Sequence, residues 1–407
     1  MPTSYRLHAT SCILAVVIAG NSVAQDAQSE SLESFHQGLT TIDTHVDIPP
    51  NLGSGDADPG KPSPMQYDLD KMERGHIDGA FFIVYVPQDE LTEAGYRAAY
   101  HKASLKFDGI EKMAARYPER ISLALSSKKF RRNLAEGRRS AMIGVENAFP
   151  LGANLEHLDE FYSRGARYIS ITHVGNNQLG VSSQPGKGDP PKDTGLSPLG
   201  ELLITRLNDL GVMIDVSHAS KKTTLQVTKL SRAPVIASHS GAAAVFNHSR
   251  NLSDDEVRAI ANTGGVIQVV AFDRYMREIS DENMAGISNI LQAAGIDGPE
   301  WFSRATQGEI ARLRDQVNAL DKTWPRATIA DLVNHIDHIA TLVGVNHVGL
   351  ASDFGGGGGV KGWDDAGDSA KVTEELINRG YSKDDIQKIW GDNLLRVWQE
   401  VELRATQ

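Results

Sequence analysis

Eight short apolar runs, set apart by amphipathic stretches, restrict the fold of this chain more than any other feature. In order they read "TIDTHVDI", "GAFFIVYV", "RSAMIGVENA", "RYISITHV", "VMIDVSHAS", "APVIASHS", "GGVIQVV" and "HVGLASDF". Runs this short and apolar suit strands, and their alternation with helical patterns is the signature of βαβ units. Eight such units predict an α/β fold of the (β/α)8 TIM-barrel class, with functional residues at the C-terminal strand ends. The connecting helices carry their own punctuation. "SPLGELLITRLNDLG" offers Ser197 as N-cap, Pro198 at the first helical position and Gly211 as stop, with Leu199, Leu202, Leu203, Leu207 and Leu210 as the apolar face. In "LSDDEVRAIANTGG", Ser253 and Glu256 have capping-box spacing. Between the seventh and eighth runs, from about Asp273 to Thr328, the chain is longer than one crossover needs, which predicts a helical insertion near the barrel mouth.

The first 24 residues differ from the rest. Arg6 and His8 precede the apolar "CILAVVIAG", and Ser22 and Ala24 precede Gln25, the order of a secretory signal peptide, residues 1–24. The apolar stretch is too short to span a bilayer. Cleavage after Ala24 removes Cys12, the only cysteine, so no disulfide is expected in the mature chain. The C-terminal "VELRATQ" has no hydrophobic tail. The expectation is a soluble exported protein, periplasmic or secreted, with no stable membrane anchor and a barrel domain over residues 40–402. A net charge of −11 argues against nucleic acid or an anionic membrane as partner, since both select a basic surface.

The chain has 13 histidines, and four of the eight runs carry one at or near the C-terminal end: His45, His173, His218 and His239. Asp47, Glu146 and Asp353 hold similar positions on the first, third and eighth runs. Taken singly, each has an ordinary reading as a capping or hydrogen-bonded polar group at a strand end. Closing a barrel brings them all to one rim, where so many polar groups need a common purpose. Imidazole nitrogen and carboxylate oxygen are the usual ligands of Zn²⁺. A set of His45, Asp47, Glu146, His218 and His239 is too rich for one ion, and suits two metals about 3.5–4 Å apart, with Glu146 as bridge. Such a pair lowers the pKa of a bridging water from about 15.7 toward 7, which predicts metal-assisted hydrolysis. Asp353 is then placed to shuttle the proton. Arg250 and Asn251, in "HSRNLSDDE", are candidate substrate residues, because a guanidinium there can grip a carboxylate. His173 is read as a donor to the scissile carbonyl, contacting substrate in place of metal. The glycines of "FGGGGGV" read either as a flexible loop or as a mobile lid.

"IDTHVDIP", "YISITHVGNN", "GLSPLGELL", "VMIDVSHAS", "ASHSGAAAVFNHSRN", "HVGLASDF" and "GDNLLRVWQEVE", in this order, resemble the membrane (renal) dipeptidase family of zinc dipeptidases, within the amidohydrolase superfamily. The resemblance implies two Zn²⁺ per subunit, with His45 and Asp47 on one ion, His218 and His239 on the other, and Glu146 bridging. It also implies substrate contacts from His173 and Arg250, Asp353 as acid and base, and a small dipeptide substrate with a free carboxylate, often tolerating a D-residue at that end. Members are often dimers, so a homodimer is an expectation that no motif here carries. Two departures stand out. The eighth run has "DFGG" where the family commonly has Asp-Phe-Asp-Gly, so Gly355 replaces an acid, and the third has "VENA" where Glu-Gly is usual.

Two rival readings remain. Another binuclear amidohydrolase, such as a phosphotriesterase or lactonase, usually bridges its metals with a modified lysine, and no rim run here ends in Lys. A non-catalytic exported binding protein would have lost a metal ligand or Asp353, and none is missing.

Overall fold

The structure is a computed structural model that describes residues 31–190, 192–296, 305–323 and 325–406. The expected signal peptide lies outside the described residues. Residues Leu32–Gln407 form one compact unit. Its centre is a ring of eight parallel strands: β1 (Ile42–Asp47), β2 (Gly79–Tyr85), β3 (Arg139–Glu146), β4 (Ala166–Ser170), β5 (Met213–Asp215), β6 (Val235–Ala242), β7 (Val266–Val270) and β8 (Val348–Ala351). Each pairs with the next in sequence order. β1 and β8 close the ring through their C-terminal ends: Asp353 N–H donates to His45 O at 3.0 Å and Asp47 N–H to Phe354 O at 2.8 Å. Among the described residues, two shorter strands add to the rim and base, Ile121–Leu123 beside β3 and Asn251–Leu252 beside β6.

The strands are apolar throughout because both faces are buried. On β2, Phe82 and Val84 join an outer cluster with Phe107, Ile110 and Met113 of the helix Glu93–Arg116. Phe81 and Ile83 join an inner cluster with Met142, Tyr168, Met213, Ile236 and Val266. The final helix, Asn393–Leu403, contributes Leu394, Leu395 and Trp398 to that inner cluster and so closes the barrel at the strand beginnings. Burying each such side chain is worth about 1.5–3 kcal/mol.

The helix Pro198–Leu210 starts and stops where expected: the Ser197 side chain accepts from Gly200 N–H, and Gly211 ends it at φ 69°. Its apolar face needs one correction. Leu203, Ile204, Leu207 and Leu210 are buried, whereas Leu202 is 49% exposed, because the 3.6-residue period turns it one position past the sheet. The capping box is present, with Ser253 N–H donating to the Glu256 carboxylate at 2.9 Å. The insertion contains helices Asp273–Met276, Asp281–Ala293 and Gln307–Ala319, before the crossover helix Ile329–Val343. It touches the loop after β1, where Gly308 N–H donates to Asp56 and Arg314 to the Pro64 carbonyl. No helix among the described residues is long and apolar enough to cross a membrane.

Candidate metal centre

Glu146, the last residue of β3, is the hub. Its Oε1 lies 3.0 Å from His218 Nε2, 3.3 Å from His239 Nε2 and 3.8 Å from His173 Nε2. Its Oε2 lies 3.6 Å from His45 Nε2, which is 3.5 Å from Asp47 Oδ2. Three overlapping groups can each converge on a cation: His45, Glu146 and His239; Glu146, His173 and His218; His45, Asp47 and Asp353. The rim thus gathers His45, Asp47, Glu146, His173, His218, His239 and Asp353. His173 is within ligand reach as well as at the open side: its side chain is 20% exposed, against 5% for His218.

Behind the rim, hydrogen bonds fix which imidazole nitrogen faces the centre. Tyr168 on β4 crosses the barrel, and its hydroxyl donates to Thr44 O at 3.1 Å. That hydroxyl therefore accepts from His45 Nδ1, 3.0 Å away, and turns Nε2 inward. The crossing is possible because residue 144 on β3 is glycine, where any Cβ would overlap the Tyr168 ring. A second relay supports His239. Ser238 Oγ donates to Asp215 Oδ2 at 2.6 Å and so accepts from His239 Nδ1 at 2.8 Å. His239 Nε2 is then a lone pair, 3.0 Å from His218 Nε2, while His218 Nδ1 is buried with no partner. Two imidazole nitrogens and a carboxylate oxygen thus face one another at 3.0–3.3 Å, a donor set that fits a metal ion of mixed nitrogen and oxygen preference. Neither Tyr168 nor the Asp215–Ser238 pair stood out in sequence, because a tyrosine and a serine inside strand runs read as packing.

The electrostatics agree. Burial lowers His218 and His239 well below the ordinary histidine value, aided by Arg250, which leaves neutral ligands. Burial also acts to lower His45, but the charges of Glu146 and Asp47 hold it well above. Glu146, which burial alone would raise, is pulled well below its ordinary value by the charges of His173 and His45 and by the His218 and His239 imidazoles against it. Asp353 goes the other way: burial, with Asp47 and Glu146 nearby, pushes it well above the ordinary carboxylate value. Two buried carboxyls with opposed shifts in one cluster are what acid–base chemistry needs.

Strain collects here too. Of the non-glycine residues with positive φ, Asn147 (70°), His218 (68°) and Asp353 (57°) flank or belong to the centre. Asn147 explains "VENA": asparagine tolerates the left-handed region that the usual glycine supplies. Its side chain also accepts from Asn177 and donates to Val86 O. The glycine run has a use that was not expected. A Cβ at Gly355 would overlap the Asp47 carbonyl, one at Gly356 the carboxylates of Asp47 and Asp353, and one at Gly358 the Ser352 carbonyl. The run wraps both acids at backbone contact, with Gly358 N–H donating to Asp353 O at 2.8 Å and Gly355 N–H to Gln66 Oε1 at 3.2 Å.

Arg250 is 2% exposed; it donates to His239 O at 3.0 Å and lies 5.3 Å from the Tyr275 ring centre, while its Nε has no partner. Asn251 lines the same cavity as Arg250, with its Oδ1 buried and unpartnered. Its amide donates to the carbonyls of Phe246 and Tyr275, which ties the loop to the insertion. A cavity of about 410 Å³ opens beside His218 and Arg250, walled also by Val181, Pro185, Ala243 and His248.

Comparisons with known proteins bear on this geometry. The profile of the membrane dipeptidase family, peptidase family M19, matches residues 29–407. The crystal structure of the probable dipeptidase PvdM from Pseudomonas aeruginosa is 36% identical, with a TM-score of 0.80 over 92% of this chain and 98% of that one. Dipeptidase aclJ of Aspergillus oryzae is 28% identical, over 83% of this chain and 70% of its own length. A metallo peptidase from Rhodobacter sphaeroides, solved with a phosphinate mimic of L-Ala-D-Ala, is 22% identical with a TM-score of 0.71 over 89% of this chain and 99% of its own, and shares the fold. The chain is a (β/α)8 barrel that belongs to the membrane dipeptidase family of metallopeptidases, hydrolases of peptide bonds.

Proposed function

We propose that this chain is an exported dipeptidase that holds two Zn²⁺ ions and cleaves L-Xaa-L-Xaa or L-Xaa-D-Xaa dipeptides with a free C-terminus. The observation that carries the reading is the convergence of His45, Asp47, His218 and His239 on Glu146, with a buried guanidinium alongside. Asp47 and His45 would hold one ion, His218 and His239 the other, and Glu146 both. Bound divalent ions supply Lewis acidity, which polarises a carbonyl and makes hydroxide accessible near neutral pH.

The chain's own residues do the remainder. Arg250 has an unpartnered Nε that can complete a fork to the substrate's carboxylate, which sets the dipeptide's register. Its hydrogen bond to His239 O fixes that register against a metal ligand. His173, the most exposed of the four rim histidines with Nε2 3.8 Å from Glu146 Oε1, donates to the scissile carbonyl as charge develops on it. Asp353 takes the proton of the attacking water and passes it to the nitrogen as the C–N bond breaks, a role suited to its raised affinity for protons. The adjoining cavity has room for the C-terminal side chain.

The test is initial rates of the zinc-loaded protein on L-Ala-L-Ala, L-Ala-D-Ala and the C-terminal amide of L-Ala-L-Ala. Cleavage of the acids and not of the amide is expected; cleavage of the amide at an equal rate would remove Arg250 as carboxylate reader, and no cleavage would sink the reading. Export rests on the first 24 residues and predicts a mature N-terminus at Gln25, read by mass spectrometry.

A further inference from the structure

A second buried cation stands at the mouth of the barrel, opposite Arg250. Lys106 lies on the helix Glu93–Arg116, which follows β2, and its side chain is 8% exposed. Among the described residues no carboxylate or hydrogen-bond acceptor pairs with its ammonium. The group it approaches is the Tyr85 ring, with Nζ 5.4 Å from the ring centre. Tyr85 ends β2, pairs with Glu146 across the sheet, and packs its ring 4.5 Å from that of His173. Lys106 is therefore one aromatic ring away from the residue at the open side of the metal centre. Burial lowers its hold on the proton, and the charges of Asp47 and Glu146 act against that loss.

An ammonium withdrawn from water costs several kcal/mol unless paired, and a cation–π contact returns about 0.5–2 kcal/mol. Tyr85 alone does not balance the burial. Asp47 and Glu146 could, but in the proposed function, on which this inference rests, both carboxylates are committed to metal ions. The matching anion then has to arrive with the substrate. A dipeptide's own carboxylate is already spoken for by Arg250, on the loop after β6. In the eight-stranded ring β2 and β6 lie four strands apart, on opposite sides of the mouth. A dipeptide anchored by its C-terminus at β6, with its carbonyl toward His173, extends its first side chain toward β2.

We propose that Lys106 is a specificity residue that pairs with a carboxylate on the N-terminal side chain, so that the preferred substrates are dipeptides beginning with Glu or Asp. The neutral amides of the same shape lack the charge, and leave the ammonium unpaired in the complex. A charge-assisted bond in a desolvated site discriminates by about tenfold or more in kcat/KM.

The experiment compares kcat/KM of the zinc-loaded protein on the isosteric pairs Glu-Ala against Gln-Ala and Asp-Ala against Asn-Ala, with Ala-Ala alongside, in the parent, Lys106→Met and Lys106→Arg. The expected parent prefers the acids about tenfold; Lys106→Met brings the acid-to-amide ratio to near one, and Lys106→Arg restores part of it. Because the ratio is internal to each preparation, a loss of folded protein does not alter it, and the parent alone can refute the idea. A parent that cleaves Ala-Ala but shows no preference for the acids overturns this inference and leaves the dipeptidase reading standing. A preference unchanged in Lys106→Met also overturns it. Failure to cleave any dipeptide overturns both.

Discussion

The two ends of the same barrel are built to opposite specifications. At the strand beginnings, Phe81, Met142, Met213, Val266 and Trp398 fill the interior with apolar side chains. At the strand ends, a comparable space is packed with imidazoles, carboxylates and a guanidinium, almost all buried, and with the positive-φ residues Asn147, His218 and Asp353. The first end gains free energy from burial; the second spends it on desolvated charge and strain that only a bound ion and substrate redeem. Stability and chemistry are thereby separated along one axis, which lets the rim be reactive without loosening the ring.

That separation can be attacked from either end. Trp398→Ala should cost about 3–5 kcal/mol in chemical denaturation while leaving kcat/KM per folded molecule within about twofold; a large catalytic loss would show that the two ends are coupled. Asp353→Asn should lower kcat roughly a hundred- to a thousandfold with metal content near normal, and the metal-free variant should melt no lower than the parent at pH 8, because the ionised form of a carboxyl with a raised pKa is unfavourable when buried. Equal loss of metal would make Asp353 a ligand.

A gentler probe is acid. His335, buried on the helix Ile329–Val343, accepts from Ala242 N–H at the end of β6, and burial lowers its pKa to about 4. The unfolded chain takes up that proton first, near pH 6.5, so stability should fall as the pH drops from about 6.5 to 4, by about 3 kcal/mol. Below pH 4 both forms are protonated and this contribution is spent. His335→Asn keeps an acceptor for Ala242 and should flatten that part of the profile; an unaltered slope would assign the acid sensitivity to other groups. The smallest effect expected is at the support of a ligand. Tyr168→Phe should weaken metal affinity about 10- to 100-fold with little change in melting temperature, and unaltered affinity would mean that the hydroxyl does not orient His45.

Much of this was legible in the sequence, and the illegible part has a pattern. Strand runs announced themselves because both faces are buried, and His45, Asp47, Glu146, His218 and His239 announced themselves by sitting where such runs end. Supporting groups did not. Tyr168 matters because Gly144, on the neighbouring strand, leaves room for its ring, and that relation exists only after β3 and β4 pair. Lys106 sits inside an amphipathic helix where any lysine reads as solvated. Asn251 was read beside Arg250 and lines the same cavity, but that its amide donors are held by the carbonyls of Phe246 and Tyr275 shows only in the fold. The five glycines suggested freedom, and in the fold they serve close approach.

The seam between β1 and β8 has a consequence for the order of events in the life of the molecule. It joins His45 and Asp47 to Asp353 and Phe354, residues separated by most of the chain. The centre is therefore complete only when the first and last strands of the ring have met, since its acids stand on both sides of that seam. A chain ending before Val348 would keep Glu146 with His45, His218 and His239, yet lose β8, the seam and Asp353, and so leave the ring open beside Asp47.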